Sequence, residues 1–169
     1  MQAMTMEALL EKIRETAKWR ITKFASDEDL AAGRPYEEVE FDGNLLLNEG
    51  INEAWTHLCS AGGTKFDNAN AYLGVGDSAT GEVATQTGLQ AATNKLYKAM
   101  MTSFPTYGAS QQAVWKSSFG PTEANFAWNE FTVANGNSDA AKNLNRKVSA
   151  QGTKTSGQTW ELTLTITLS

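Results

Sequence analysis

The sequence predicts a mainly β protein: an antiparallel β-sandwich with one amphipathic helix packed on it and an N-terminal helical arm. Residues 159–168 alternate strictly between polar and apolar side chains, which is the pattern of a strand with one buried and one solvent-facing side. Shorter alternating runs recur from residue 71 onward and are separated by turns rich in glycine, asparagine and serine. Helical spacing of apolar residues marks only residues 5–17 and 48–60.

Residues 1–35 are predicted to form a docking arm, helical and then extended, that precedes a sandwich domain of residues 36–169. Thr5 is a suitable N-cap, and apolar residues follow it at helical spacing. From Lys18 the pattern becomes strand-like, and the polar segment 25–35 ends in Gly33 and Pro35, as a linker would. We therefore expect the sandwich to stay folded without residues 1–24. The candidate docking residues are Met6, Leu9, Leu10, Ile13, Trp19, Ile21 and Phe24.

The clearest helix of the sequence lies at residues 48–60, after a predicted strand at residues 36–41. Asn48 can cap this helix, and the pair Gly62-Gly63 ends it. Because its apolar residues share one face, we expect that face to pack on the sandwich. The face consists of Ile51, Trp55, Leu58 and Cys59.

One acidic residue lies in an otherwise apolar stretch. The apolar parity changes between residues 126–128 and 131–133, which predicts a β-bulge near Asn129 and Glu130. Such a bulge can turn the Glu130 carboxylate inward, and a buried carboxylate needs a partner. Arg146 or Lys147, on a later strand, can supply it. We predict that Glu130 and Arg146 form a buried charge pair with a structural rather than a catalytic role.

The formal net charge of −5 argues against a general nucleic-acid binder, which needs a basic surface. Acidic residues are concentrated in residues 26–53, which carry a net charge of −8, whereas residues 142–169 carry +3. This asymmetry could orient neighbouring copies in an assembly, or it could be a solvated acidic edge. No apolar run has the form of a signal peptide or a membrane span, so we expect synthesis in the cytoplasm and no membrane partner.

The sequence offers no pattern for catalysis, for a cofactor or for a metal. The glycine-rich segment 74–82 has Glu82 where a phosphate-binding loop needs lysine. His57 and Cys59 are the only histidine and cysteine, which leaves neither a nucleophilic triad nor a zinc site in view. The five tryptophans fit a core better than a sugar-stacking platform. We predict that the protein is not an enzyme and binds no cofactor.

A series of motifs follows in order along the chain: Gly43-Asn-Leu-Leu-Leu-Asn-Glu-Gly50-Ile-Asn, Ala71-Tyr-Leu-Gly-Val-Gly-Asp77, Gln86-Thr-Gly-Leu89-Gln90, Phe126-Ala-Trp-Asn-Glu130-Phe, Leu144-Asn-Arg146-Lys-Val148 and Gly152-Thr-Lys-Thr-Ser-Gly157. Over about residues 41–169 this order resembles small virion structural proteins of tailed bacteriophages, related in pattern to domains of phage tail and collar fibres. The resemblance implies a structural protein, located in the virion, with no enzymatic residues. The implied partners are other virion proteins and further copies of the chain.

Three functions remain open at this point. The first is an accessory capsid subunit of the decoration type, which docks on the particle and stabilises it. The second is a tail, collar or short-fibre component that contacts a host receptor through loops such as 77–93 and 103–111. The third is a carbohydrate-binding or glycan-cleaving module.

Overall fold

The computed structural model describes residues 14–169, which form two antiparallel five-stranded sheets around one core. This arrangement confirms the predicted β-sandwich. The first sheet has the order β2-β1-β10-β7-β6 and the second the order β3-β9-β8-β4-β5. The elements are β1 Glu15–Phe24, α1 Asp27–Ala31, β2 Glu37–Asp42, β3 Leu45–Leu46, α2 Asn48–Cys59, β4 Tyr72–Gly76, β5 Lys95–Ala99, β6 Thr106–Ala109, β7 Gln112–Phe119, β8 Glu130–Ala134, β9 Asn145–Val148 and β10 Thr159–Leu168.

Strand β10 is the centre of the first sheet, and its alternation is the one that the sequence predicts. It pairs along nearly its whole length with β1 on one side and β7 on the other. Its apolar side chains from Trp160 to Ile166 are buried in the core, while Thr163, Thr165 and Thr167 are half-buried on the opposite face. The strand therefore supplies one complete row of the core.

The core joins the inner faces of both sheets and is rich in aromatic side chains. Trp128 lies at its centre, with ring centroids 4.8 Å from Phe119, 5.0 Å from Trp160 and 6.3 Å from Phe131. These tilted contacts between rings are the favourable geometry for aromatic pairs. The predicted core role is confirmed for four of the five tryptophans: Trp19, Trp115, Trp128 and Trp160 are all buried.

The predicted boundary at residue 35 is wrong, because β1 belongs to the sandwich. This strand lies between β2 and β10, with Trp19 and Ile21 completely buried and Phe24 nearly so. Trp19 and Ile21 alternate as in a strand with one face in the core, and Phe24 is buried on the opposite parity. All three therefore belong to the sandwich rather than to a docking surface. The segment predicted as a linker contains α1, capped by Ser26 through a bond from the Asp29 N–H of 3.2 Å. Met6, Leu9, Leu10 and Ile13 lie outside the described residues.

The irregularity predicted near Asn129 is present. Gly76 of β4 pairs with Glu130, and its carbonyl also accepts a hydrogen bond of 2.8 Å from the N–H of Asn129. Asn129 lies just before β8, and Trp128 and Phe131, three residues apart, are both in the core, so the change of parity falls between them. From Glu130 the pairing continues in regular register to Ala134, which places Phe131 and Val133 in the core and Glu130 on the other face of the sheet.

Candidate functional site

The predicted pair of buried charges forms as expected. Glu130 on β8 and Arg146 on β9 are both completely buried, and Oε2 of Glu130 accepts bonds from Nε of Arg146 at 2.9 Å and Nη2 at 2.7 Å. The adjacent strands bring the two side chains together. Glu130 pairs with Val148, and Arg146 lies two residues before Val148, on the same face of the sheet. The alternative partner, Lys147, is half-buried and pairs in register with Phe131.

The remaining hydrogen bonds of this pair attach one loop, residues 77–94 between β4 and β5. The Glu130 carboxylate accepts bonds from the backbone N–H groups of Gln90 at 2.9 Å and Ala91 at 2.7 Å. Nη1 of Arg146 donates to the carbonyl of Thr80 at 2.8 Å and to Oε1 of Gln86 at 3.0 Å. Both charges are thus fully engaged with protein groups, so the pair anchors the loop and offers no free group for chemistry.

A second polar cluster holds the same loop. The Tyr97 hydroxyl donates to Oδ1 of Asp139 at 2.6 Å and accepts a bond of 3.1 Å from the Leu89 N–H. Burial and the neighbouring Asp139 carboxylate raise the pKa of Tyr97 well above its usual value. Lys95 also pairs with Asp139. The loop that would contact a receptor in a tail or fibre component is therefore fixed in place at two points.

Lys154 is a buried cation that the sequence did not reveal. Its Nζ donates to the carbonyls of Gly120 at 2.7 Å and Glu123 at 2.9 Å, and to Oδ1 of Asn125 at 2.8 Å. Burial lowers the pKa of Lys154 to about 8, with the charge of Glu123 acting in the opposite direction. Its position in a turn rich in glycine and threonine gave no sign that it would be enclosed.

Helix α2 packs on the sandwich through its polar side. Gly50 is buried so closely against the chain that an added Cβ would lie 2.6 Å from the Leu144 carbonyl oxygen. Glu53 accepts bonds from the Thr64 N–H at 2.8 Å and from Nδ2 of Asn135 at 3.2 Å. His57 contacts the Thr64 carbonyl at 3.0 Å, and its ring meets Phe66 edge to face. These contacts fix the rotation of the helix about its axis.

The apolar face of α2 is consequently left uncovered by the sandwich, and the prediction that this face packs on the sandwich is wrong. Trp55 is 59% exposed, Leu58 is 76% exposed and Ile51 is 37% exposed. Cys59 is exposed as well. We call Ile51, Trp55 and Leu58 the exposed stripe. Large apolar side chains grouped on a surface typically mark a contact with another molecule.

An apolar groove of about 620 Å³ lies beside Ile51 and Trp55 of the exposed stripe. One wall consists of Ile51, Ala54 and Trp55 of α2, and the other includes Ala113 of β7 and Ile166 of β10. Glu15 and Leu168 line the groove at the end where β1 begins and β10 ends. We call this feature the α2 groove. Its apolar lining suits an apolar side chain from a partner better than a charged ligand.

The acidic region is neutralised in part within the first sheet. Glu40 on β2 contacts Lys18 at 3.4 Å and Nε of Arg20 at 2.8 Å, and Glu37 contacts Nζ of Lys23 at 2.7 Å. The basic side chains come from β1, the neighbouring strand. Because β2 is an edge strand, its remaining acidic side chains also oppose pairing with a foreign strand.

Residues 14–169 contain no group of three or more histidine, cysteine or acidic side chains placed to hold a metal ion. In the same residues, no helix is long and apolar enough to cross a membrane. Comparison of the whole chain with protein-family models, with curated proteins and with solved structures gives no match.

Proposed function

We propose that this protein is an accessory structural subunit of a tailed-bacteriophage virion, of the capsid-decoration type, and that it docks on neighbouring subunits through α2. The observation that carries the proposal is the outward orientation of the exposed stripe. Trp55 and Leu58 are exposed by 59% and 76% on a helix whose polar side is used for internal packing. Such an arrangement leaves apolar surface in water unless a partner covers it.

The buried charged groups support a structural role. Glu130, Arg146 and Lys154 are enclosed, and each is engaged by protein groups that tie loops to the sheets. Groups used in this way make a rigid platform, which suits a subunit that must present a fixed surface to its neighbours.

A tail, collar or short-fibre component is the second candidate, and one observation favours it. Tyr107 of β6 is highly exposed and lies in the predicted receptor-contact region 103–111. A carbohydrate-binding surface would rest on the same Tyr107 and on Trp55, since the other four tryptophans are buried. Exposed aromatic side chains can stack on sugar rings as well as on protein.

Quantitative gel analysis of purified particles separates these functions. A decoration subunit is expected in hundreds of copies per particle, whereas a tail or fibre component is expected in a handful to a few dozen. Absence of the protein from purified particles would contradict both virion functions. Glycan binding by the purified protein that is lost in Trp55→Ala or Tyr107→Ala would instead support the carbohydrate-binding module.

A further inference from the structure

We propose that the α2 groove receives the amphipathic segment 5–13 of a second copy of this chain. This inference rests on the proposed function, because a multi-copy accessory subunit is expected to contact copies of itself.

The sequence provides an apolar ridge of matching length. The residues Met6, Leu9, Leu10 and Ile13, which we call the N-terminal stripe, lie on one side of a predicted helix. Met6 and Ile13 are separated by seven positions in the sequence, and Ile51 and Leu58 of α2 have the same separation. At 1.5 Å per residue each stripe is about 10.5 Å long, so the two apolar surfaces can lie side by side.

The described part of the chain begins beside the α2 groove, directly after Ile13 of the N-terminal stripe. The Arg14 N–H donates to the Ser169 carbonyl at 2.6 Å, and the Ser169 N–H donates to the Arg14 carbonyl at 2.9 Å. These bonds prolong the β1–β10 pairing past Glu15, which itself lines the groove. The described chain thus begins at the end of the sandwich where the groove lies, directly after the N-terminal stripe.

The same bonds favour insertion of the stripe into the groove of a second copy over insertion into the groove of its own chain. Arg14 is already paired as an extension of β1, and Ile13, the last residue of the N-terminal stripe, directly precedes it. To lie along its own groove, the stripe must reverse direction, and a reversal takes a turn of at least about two residues. That turn would use Ile13 itself. In a neighbouring copy the whole stripe can reach the groove without a turn.

The resulting contact is head-to-tail: the stripe of one copy enters the groove of the next, whose own stripe is free for a third. This geometry predicts complementation between two defective variants. The stripe variant Leu9→Asp/Leu10→Asp keeps an intact groove, and the groove variant Ile51→Asp/Trp55→Asp keeps an intact stripe. Mixed together, they can still form one contact, whereas each alone can form none.

The test is sedimentation equilibrium of the full chain between about 1 μM and about 1 mM. We expect the unchanged protein to associate with rising concentration, each variant alone to associate at least tenfold more weakly, and the equimolar mixture to form a 1:1 dimer. Ala8→Asp, on the opposite side of the predicted helix, and Asn52→Asp, exposed on α2 outside the stripe, are matched controls that should associate normally. Circular dichroism and denaturant unfolding verify that every variant is folded.

Three results would overturn the inference. An unchanged protein that stays monomeric over the whole range would mean that each stripe occupies its own groove or that the groove has another occupant. A stripe variant that associates as well as the unchanged protein would mean that α2 pairs with α2. A mixture that fails to associate would exclude the head-to-tail contact. None of these requires a particle, so failure here is distinct from absence of the protein from purified virions.

Discussion

The side chains of Glu130 and Arg146 are completely buried, and each compensates the charge of the other. Removing one partner of a buried ion pair leaves the other charge uncompensated, which costs about 3–5 kcal/mol of unfolding free energy. We therefore expect Arg146→Met to destabilise the protein by about that amount, as measured by urea unfolding followed by tryptophan fluorescence. Arg34→Met, which breaks an exposed pair with Asp29, should cost no more than about 1 kcal/mol. Equal effects of the two substitutions would contradict the structural role of the buried pair.

The buried ammonium of Lys154 makes the stability of the fold depend on pH. Its pKa is about 8 in the folded protein and 10.5 in an unperturbed lysine, so between these values the unfolded chain binds more protons than the folded one. Stability contributed by this group therefore rises with pH across that window and is constant below it.

This dependence can be measured against Lys154→Met, which removes the titrating group. We expect the unfolding free energy of the unchanged protein, minus that of the variant, to increase between about pH 7 and about pH 9.5 in paired urea titrations. Tyr97, whose raised pKa lowers stability at still higher pH, is present in both proteins, so its contribution cancels from this difference. A difference that stays constant over this range would show that Lys154 titrates like an exposed lysine.

Helix α2 is oriented by a close backbone contact at Gly50. An alanine there would place its Cβ 2.6 Å from the Leu144 carbonyl oxygen and 2.7 Å from the Asn143 carbonyl oxygen. Alanine stabilises a helix by up to about 1 kcal/mol relative to glycine, but forced overlap in a packed contact costs about 1–3 kcal/mol. We expect Gly50→Ala to lower the thermal midpoint, whereas Gly81→Ala, with open space around it, should change it little. A stabilised Gly50→Ala protein would show that α2 is not held at this contact.

The opposite side of the same helix should be insensitive to substitution in the free protein. Because Trp55 and Leu58 are exposed, Trp55→Asp and Leu58→Asp are expected to change the unfolding free energy by no more than about 0.5 kcal/mol. Trp128→Ala in the core is the contrast, with an expected loss of about 3–5 kcal/mol. Urea unfolding of the three variants checks the orientation of α2. A loss of several kcal/mol in Trp55→Asp would mean that the stripe is covered within the chain.

For the molecule as a whole, the sandwich needs β1 in order to fold, because β1 is one of its strands. Deleting residues 1–24 removes a strand between β2 and β10 and takes Trp19 and Ile21 out of the core. We expect that deletion to abolish cooperative unfolding, while deletion of residues 1–13 should preserve it, as circular dichroism during urea titration will show. A folded 25–169 fragment would restore the idea that residues 1–35 are a separate arm.

The sequence predicted the features that local pattern determines. The alternation of β10 follows from its own residues, and Glu130 among apolar neighbours required a cation, which Arg146 supplies. The rotation of α2 could not be predicted, because it depends on contacts of Gly50 and Glu53 with residues far along the chain. The same holds for Lys154, whose acceptors come from another loop.

Under our proposal, the exposed stripe of α2 is the docking surface of a virion subunit. The decisive measurement is the number of copies of Trp55→Asp/Leu58→Asp in purified particles, with Asn52→Asp as the matched control on the same helix. We expect the control to be present at the level of the unchanged protein, in hundreds of copies, and the double variant, although folded, to be lost from the particles. Incorporation of the double variant at the unchanged level would contradict the claim.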